Sequence, residues 1–255
     1  MEMKLYAFSV GTMTVKKGIF ASGKEGDKKI KVPVECFLIV HPKGTVLFDT
    51  GIGVEVGLDP EGCWGSAAKA FQPSICESED LVTQLRSVGY SYKDIGYVVL
   101  SHMHMDHVGC LRWFGYSNIL VQDAEMKLAQ KAKAERNGYY RRDWDYPFIY
   151  NRLNGRKDLF GDGSIVMEPL PGHTDGMQVL VLDLPETGKV VLASDAAGML
   201  ENLDDGVIPL NIQNKHDYLS SIQFLKKMKD EGALVICGHD SEQWETIKKA
   251  PDFYL

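Results

Sequence analysis

Positive charge is in short supply in this chain. Its 28 lysines and arginines face 35 aspartates and glutamates, for a formal net charge of −7. A nucleic-acid backbone is therefore not expected as a partner, because phosphate binding needs a basic face. The local pairs Arg141-Arg142 and Lys226-Lys227 read as solvated surface. Long apolar runs are also missing. None approaches the roughly 20 residues of a membrane span, so no membrane partner is expected. Met1 to Val10 has neither the sustained apolar core nor the small-residue cleavage site of a secretion signal, which points to the cytoplasm. The 5 cysteines are an odd number without close pairing and read as reduced, mostly buried thiols. There is no Gly-x-Ser-x-Gly elbow for a serine nucleophile. With no linker or repeat, the 255 residues, 44% of them hydrophobic, read as a single domain over 1–255.

What is present alternates strands with helices. Leu5 to Val10 reads as a strand. Cys36 to Val40 and Thr45 to Phe48 read as a hairpin around His41-Pro42-Lys43-Gly44. Gly53 to Cys76 is glycine-rich and reads as loop. Ser78 is the expected N-cap of a helix carrying Leu81, Val82, Leu85 and Val88. Tyr97 to Leu100 is a buried-type strand, as is Ile119 to Gln122, which a helix over Ala124 to Ala134 follows. Asn137 to Arg156 is aromatic and charged without a clean period. Ile165 to Pro169, Met177 to Asp183, Lys189 to Ala193 and Ala233 to Cys237 read as strands, and His216 to Lys229 as an amphipathic helix. Two similar halves of this kind predict an α/β (α+β) fold of two packed sheets with helices outside.

The chemistry is concentrated in Ser101-His-Met-His-Met-Asp-His-Val-Gly109. His102, His104, Asp106 and His107 follow an apolar strand directly, and three of the chain's 7 histidines sit here. A surface histidine loop is the bland reading, and so tight a cluster in a histidine-poor chain argues against it. A helix fails as well, since His102 and His104 would face different sides. Gly172-His173, Ala193-Ser194-Asp195 and Gly238-His239 place three more donors after strands. Five imidazoles and two carboxylates at strand ends can serve two metal ions with one shared carboxylate, a donor set that suits zinc. His41, in a turn, and His216, near a helix start, read as surface or capping residues, and Cys110 as small packing. Tyr139, Tyr140, Trp144, Tyr146, Phe148 and Tyr150 read as a pocket wall or an interface. Met13, Phe20, Trp64 and Phe71 are candidates for an acyl-chain groove.

The ordered set His-x-His-x-Asp-His, Gly-His, Asp, Gly-His resembles the metallo-β-lactamase superfamily, from Phe48-Asp49-Thr50-Gly51 to Gly238-His239-Asp240. The resemblance implies a four-layer αβ/βα sandwich. It assigns His102, His104 and His173 to one ion and Asp106, His107 and His239 to the other, with Asp195 bridging and Asp49 orienting a ligand histidine from behind. Asp49-Thr50-Gly51 also matches an aspartic-protease triplet, but no second copy accompanies it. His104 stands where two-iron oxidoreductases of the superfamily carry Glu, which favours a hydrolase. Pro171-Gly172-His173-Thr174, Ser194-Asp195-Ala196 and Gly238-His239-Asp240-Ser241-Glu242-Gln243 look like the N-acyl homoserine lactone lactonases. The implied reaction is opening of a small lactone by a hydroxide activated between two divalent ions, with zinc expected and iron, manganese or cobalt as alternatives. Asp106 would shuttle the proton. Those lactonases place a substrate-contacting Tyr where this chain has Gly198. Either Tyr139, Tyr140 or Tyr146 substitutes, or the substrate differs. A glyoxalase-II-like thioesterase or other carboxylic ester hydrolase is the alternative, followed by a phosphodiesterase and a non-catalytic metal-dependent binding protein. The expected partner is a small-molecule substrate, and a homodimer is implied by the resemblance alone.

Overall fold

A computed structural model describes residues 2–23, 25–131 and 133–255. The chain opens with two long strands, β1 (Lys4–Lys16) and β2 (Lys29–His41), antiparallel through most of their length, and β2 turns at Pro42-Lys43 into β3 (Gly44–Phe48). His41 caps that turn, its Nδ1 accepting from the Lys43 amide at 3.1 Å. Its ring is buried rather than on the surface, stacked on Phe160 with centroids 4.5 Å apart. His216 is exposed, at the start of a helix.

Gly53 to Cys76 is not a loop. It winds into α1 (Val54–Leu58), α2 (Pro60–Trp64) and α3 (Ala67–Phe71) before a short strand, β4 (Pro73–Ser74). Its glycines suggest an unstructured run, but local caps and buried anchors outweigh them. Pro60 starts a helix whose cap, Asp59, accepts from the Gly62 amide at 2.9 Å. Val56, Trp64 and Ala68 pin the three helices against Met13, Val15, Val32 and Val34 of β1 and β2. Ser78 does not cap the next helix. Glu77–Glu79 forms a tight turn, and Asp80 caps α4 (Leu81–Ser87) by accepting from the Thr83 amide.

β5 (Tyr97–Val99), β6 (Asn118–Gln122) and β7 (Tyr150–Leu153) continue the first sheet in parallel with β3, giving the order β4-β1-β2-β3-β5-β6-β7. Between β6 and β7 lie α5 (Asp123–Ala129), shorter than expected, and α6 (Arg141–Trp144). The second sheet runs β12-β11-β10-β9-β8, from β8 (Lys157–Asp158), β9 (Ile165–Pro169), β10 (Gln178–Leu184), β11 (Gly188–Ser194) and β12 (Leu234–Cys237). α7 (Leu200–Asp204) and α8 (Lys215–Asp230) connect β11 to β12, and α9 (Ser241–Thr246) follows.

The strand period of two sorts the core into layers. In β1, Leu5 and Ala7 face inward with Phe37 and Ile39 of β2, and they meet Met167, Leu180, Leu182 and Leu192 of the second sheet. The alternate residues Tyr6, Phe8, Cys36 and Leu38 face α4 and α5 through Leu81, Leu85 and Met126. On the far side, Tyr218, Ile222 and Leu225 of α8 form one helical stripe against Val191 and Val235. Each fully buried Leu, Ile or Phe contributes roughly 1.5–3 kcal/mol. The result is helix, sheet, sheet, helix, the four-layer α/β sandwich expected from the sequence.

Candidate metal centre

Parallel strands place their C-terminal ends on one edge of a sheet, where connecting loops can converge. Asp49 follows β3, His102 to His107 follow β5, Asp195 follows β11 and His239 follows β12, while His173 lies in the turn between β9 and β10. Two of these junctions are strained: Asp49 and Ser194, neither a glycine, hold φ at 59° and 46°. Such conformations cost about 1–3 kcal/mol each and persist where the surroundings impose them.

The loops bring all seven candidate donors together. His102 Nε2, His104 Nδ1 and His173 Nε2 lie 3.0–3.2 Å from one another. Asp106 Oδ2 is 3.6 Å from His107 Nε2 and 3.7 Å from His239 Nε2. Asp195 faces both groups: Oδ2 is 3.3 Å from His173 Nε2, while Oδ1 is 3.0 Å from His239 Nε2 and 3.5 Å from His107 Nε2. His107 Nε2, His239 Nε2 and Asp195 Oδ1 are buried without a hydrogen-bond partner. A buried polar atom left unpaired costs about 1–3 kcal/mol. Several such lone pairs aimed at one space fit a cation, and imidazole with carboxylate is a donor set for zinc or a similar divalent ion.

Groups behind the donors decide which nitrogen points inward. Asp49, 2% exposed, accepts from the Ser101 amide at 2.7 Å, the Ser101 hydroxyl at 2.7 Å and His107 Nδ1 at 2.8 Å. The Ser101 hydroxyl in turn faces His102 Nδ1 at 3.0 Å. His239 Nδ1 donates to the Pro33 carbonyl at 2.8 Å. In a neutral imidazole each of these bonds holds the proton on the far nitrogen and leaves the near one as a lone pair. Burial, reinforced by the other imidazoles, drives His102 and His104 well below the usual histidine range, and burial lowers His173 too. Burial also opposes charge on His107 and His239, yet carboxylates outweigh it. Asp106 and Asp49 raise His107 well above its ordinary value, and Asp195 raises His239.

The centre opens into a cavity of about 730 Å³ onto which His104, Asp106, His173 and Asp195 all face. Phe20, Phe71, Met105, Leu128, Tyr140 and Ile212 supply apolar wall. Met13 and Trp64 do not line it and are packed in the core beneath. Lys131, Lys133 and Arg136 also line the cavity, with Glu135 among them, so charge of both signs surrounds this opening. Of the three tyrosines proposed for it, two are there. Tyr139 is 2% exposed, its ring set against His104 at 4.7 Å. Burial and the neighbouring Glu125 push its phenol upward, so it stays protonated. Tyr140 lines the wall with its hydroxyl committed to the Trp64 carbonyl at 2.6 Å. Tyr146 is not part of the lining: it stacks on Phe148 and donates to the Arg142 carbonyl at 2.7 Å. Its position beyond α6, which the aperiodic stretch concealed, carries it away.

Gly198 has φ −69° and ψ −30°, a backbone open to any residue. What glycine supplies there is room, since an added Cβ would lie 3.0 Å from Cδ1 of Phe20. The Phe20 ring fills that space and packs on the His239 imidazole with centroids 4.3 Å apart. Asn202, fully buried, secures Phe20 by donating to its carbonyl at 2.9 Å. Sequence reasoning missed Ser101, Asn202, Glu125 and Ser194, whose hydroxyl donates to that of Ser101 at 2.9 Å, as supports of the site. A lone serine, asparagine or helix-borne glutamate carries no spacing signal.

The metallo-beta-lactamase superfamily model matches residues 31–239. The chain is 33% identical over 260 residues to the N-acyl homoserine lactonase AttM of Azorhizobium caulinodans, covering 99% of each protein. It is 31% identical over 256 residues to the N-acyl homoserine lactonase of Bacillus cereus, covering 98% of each. Among solved structures, an N-acyl homoserine lactone hydrolase with the product N-hexanoyl-L-homoserine at its catalytic metal center superposes over 100% of both chains, with a TM-score of 0.89 and 27% identity. Fold, donor set and full-length similarity converge, and the chain belongs to the metallo-beta-lactamase superfamily.

Proposed function

We propose that this protein is a metal-dependent lactonase that opens the ring of N-acyl homoserine lactones, using two divalent ions with zinc as the first choice. His102, His104 and His173 would hold one ion, Asp106, His107 and His239 the other, and Asp195 would give one oxygen to each. The observation that carries this reading is the placement of Asp195, whose two oxygens face the two histidine groups separately at the opening of an apolar-walled cavity. Its full-length similarity to named lactonases selects the substrate class.

When bound, such ions acidify water and polarise a carbonyl oxygen. The chain's own groups do the rest. Asp49, Ser101 and the Pro33 carbonyl fix the tautomers of His107, His102 and His239. Asp106 turns one oxygen toward His107 and His239, leaving the other to take a proton and return it to the leaving ring oxygen. Phe20 and Met105 keep water from the sides of the centre, and Phe71, Leu128 and Ile212 offer a wall for an acyl chain. The free, mostly buried thiols suit a cytosolic enzyme. Lys131, Lys133 and Arg136 favour a second reading, an anionic ester such as a phosphodiester. The test is acid release, followed by pH indicator, from homoserine lactones of short and long acyl chain beside a thioester and a phosphodiester. Metal-dependent opening of the lactones supports the proposal. Silence on every lactone with turnover of the thioester or phosphodiester overturns it.

A further inference from the structure

Glu125, near the start of α5, is fully buried although nothing in the proposed chemistry uses it. Its carboxylate has two short bonds. Oε1 accepts from the Met103 amide at 2.9 Å, and Oε2 accepts from the Thr174 hydroxyl at 2.7 Å. Met103 lies between His102 and His104, and Thr174 follows His173. One carboxylate thus ties together the two loops, far apart in sequence, that present the three imidazoles of the first group.

The approach is close. Any side chain at Gly176, just past His173, would run into the backbone nitrogen and Cβ of Glu125, so glycine there lets the loop seat on the helix. The arrangement parallels Asp49, which accepts from His107 Nδ1 of the second group and, through Ser101, steadies His102 of the first. A buried carboxylate is costly unless well paired; here it sits where its bonds converge on ligand loops.

We propose that Glu125 is the positioning residue of the first metal group, holding the His102–His104 loop and the His173 loop at the separation that lets three imidazoles meet one ion. The proposal rests on the two-metal reading and concerns metal affinity rather than substrate. Groups that orient ligands from behind typically change metal affinity 10–100-fold when removed.

The test is zinc titration against a competing chelator, with no substrate present, alongside cobalt absorption spectra and thermal melting. His239→Ala serves as a background in which the first group is read alone. Glu125→Ala should weaken zinc binding in that background about 10–100-fold and shift the cobalt spectrum. In the otherwise native chain it should affect one binding step and leave the other within about threefold. Glu125→Gln should restore affinity, because its amide oxygen can accept from Met103 and its amide can donate to Thr174 with the hydroxyl reversed. Thr174→Val, which cuts one tether without stranding a charge, gives a second test if the alanine variant does not fold, and should weaken the same step. The inference is overturned if Glu125→Ala or Thr174→Val leaves that step unchanged, if both steps fall together, or if Glu125→Gln falls as far as alanine. Failure of the unsubstituted protein to bind zinc would instead sink the two-metal reading itself.

Discussion

Asp49→Asn probes how the centre is held, because it exchanges one carboxylate oxygen for an amide nitrogen and changes almost no volume. In the native chain Oδ1 accepts from the Ser101 amide, while Oδ2 accepts from the Ser101 hydroxyl and His107 Nδ1. Asparagine cannot satisfy all three. If its oxygen takes the Oδ2 place, its amide faces the Ser101 amide, donor against donor. If it flips, its amide faces His107 Nδ1, and the imidazole must move its proton to Nε2, the atom directed at the metal. Either way one charge-assisted hydrogen bond is lost, worth about 1.5–3 kcal/mol. That matches a 10–100-fold loss of affinity, about 1.4–2.7 kcal/mol. Zinc titration with chelator competition should show the Asp106, His107 and His239 step weakened by this factor, with the fold retained by circular dichroism. Unchanged affinity at both steps would refute the claim that Asp49 sets the His107 tautomer.

Asp106→Asn should cost about 10²–10⁴ in kcat on a lactone while metal stays bound, as expected for lost proton transfer; full activity with metal loaded would remove Asp106 from that role. Gly198→Ala should destabilise by about 1–3 kcal/mol through overpacking against Phe20. Phe20→Ala should cost about 3–5 kcal/mol, and the double variant should cost less than the sum, read from urea midpoints. Asp143, buried with Oδ2 unpaired, has its carboxyl raised to about 7, chiefly by burial, with Arg142 opposing. A raised folded value means that its contribution is greatest below about pH 4 and is lost as pH rises toward 7. Asp143→Asn should therefore stabilise on the order of 2 kcal/mol more at pH 8 than at pH 5, and an equal effect at both would contradict the burial argument.

The strand ends and the cluster of candidate donors were legible from sequence, each for its own reason. A buried strand needs an apolar run, and a histidine-poor chain seldom clusters imidazoles without a ligand to hold. Regular α8 was legible too, since Tyr218, Ile222 and Leu225 repeat at helical spacing. The region from Gly53 to Cys76 was not, because glycines masked three helices whose order comes from Trp64 and Val56 packing on distant strands. Tyr146 was misplaced for a related reason: aromatic content says nothing about which face of a short helix a residue follows. Glu125 was invisible as a site residue, and Phe20, named only for an acyl-chain groove, gave no sign that it packs on His239. Their partners, Thr174 and Gly198, lie far along the chain, and only the folded topology joins them.

The most direct test of the account is reconstitution. Protein stripped by chelator and dialysed is given zinc in measured equivalents while opening of a short-chain N-acyl homoserine lactone is followed by acid release. The account predicts no turnover without metal and full turnover by two equivalents per chain. Turnover in the metal-free protein, or two bound equivalents with no lactone opened, would contradict it.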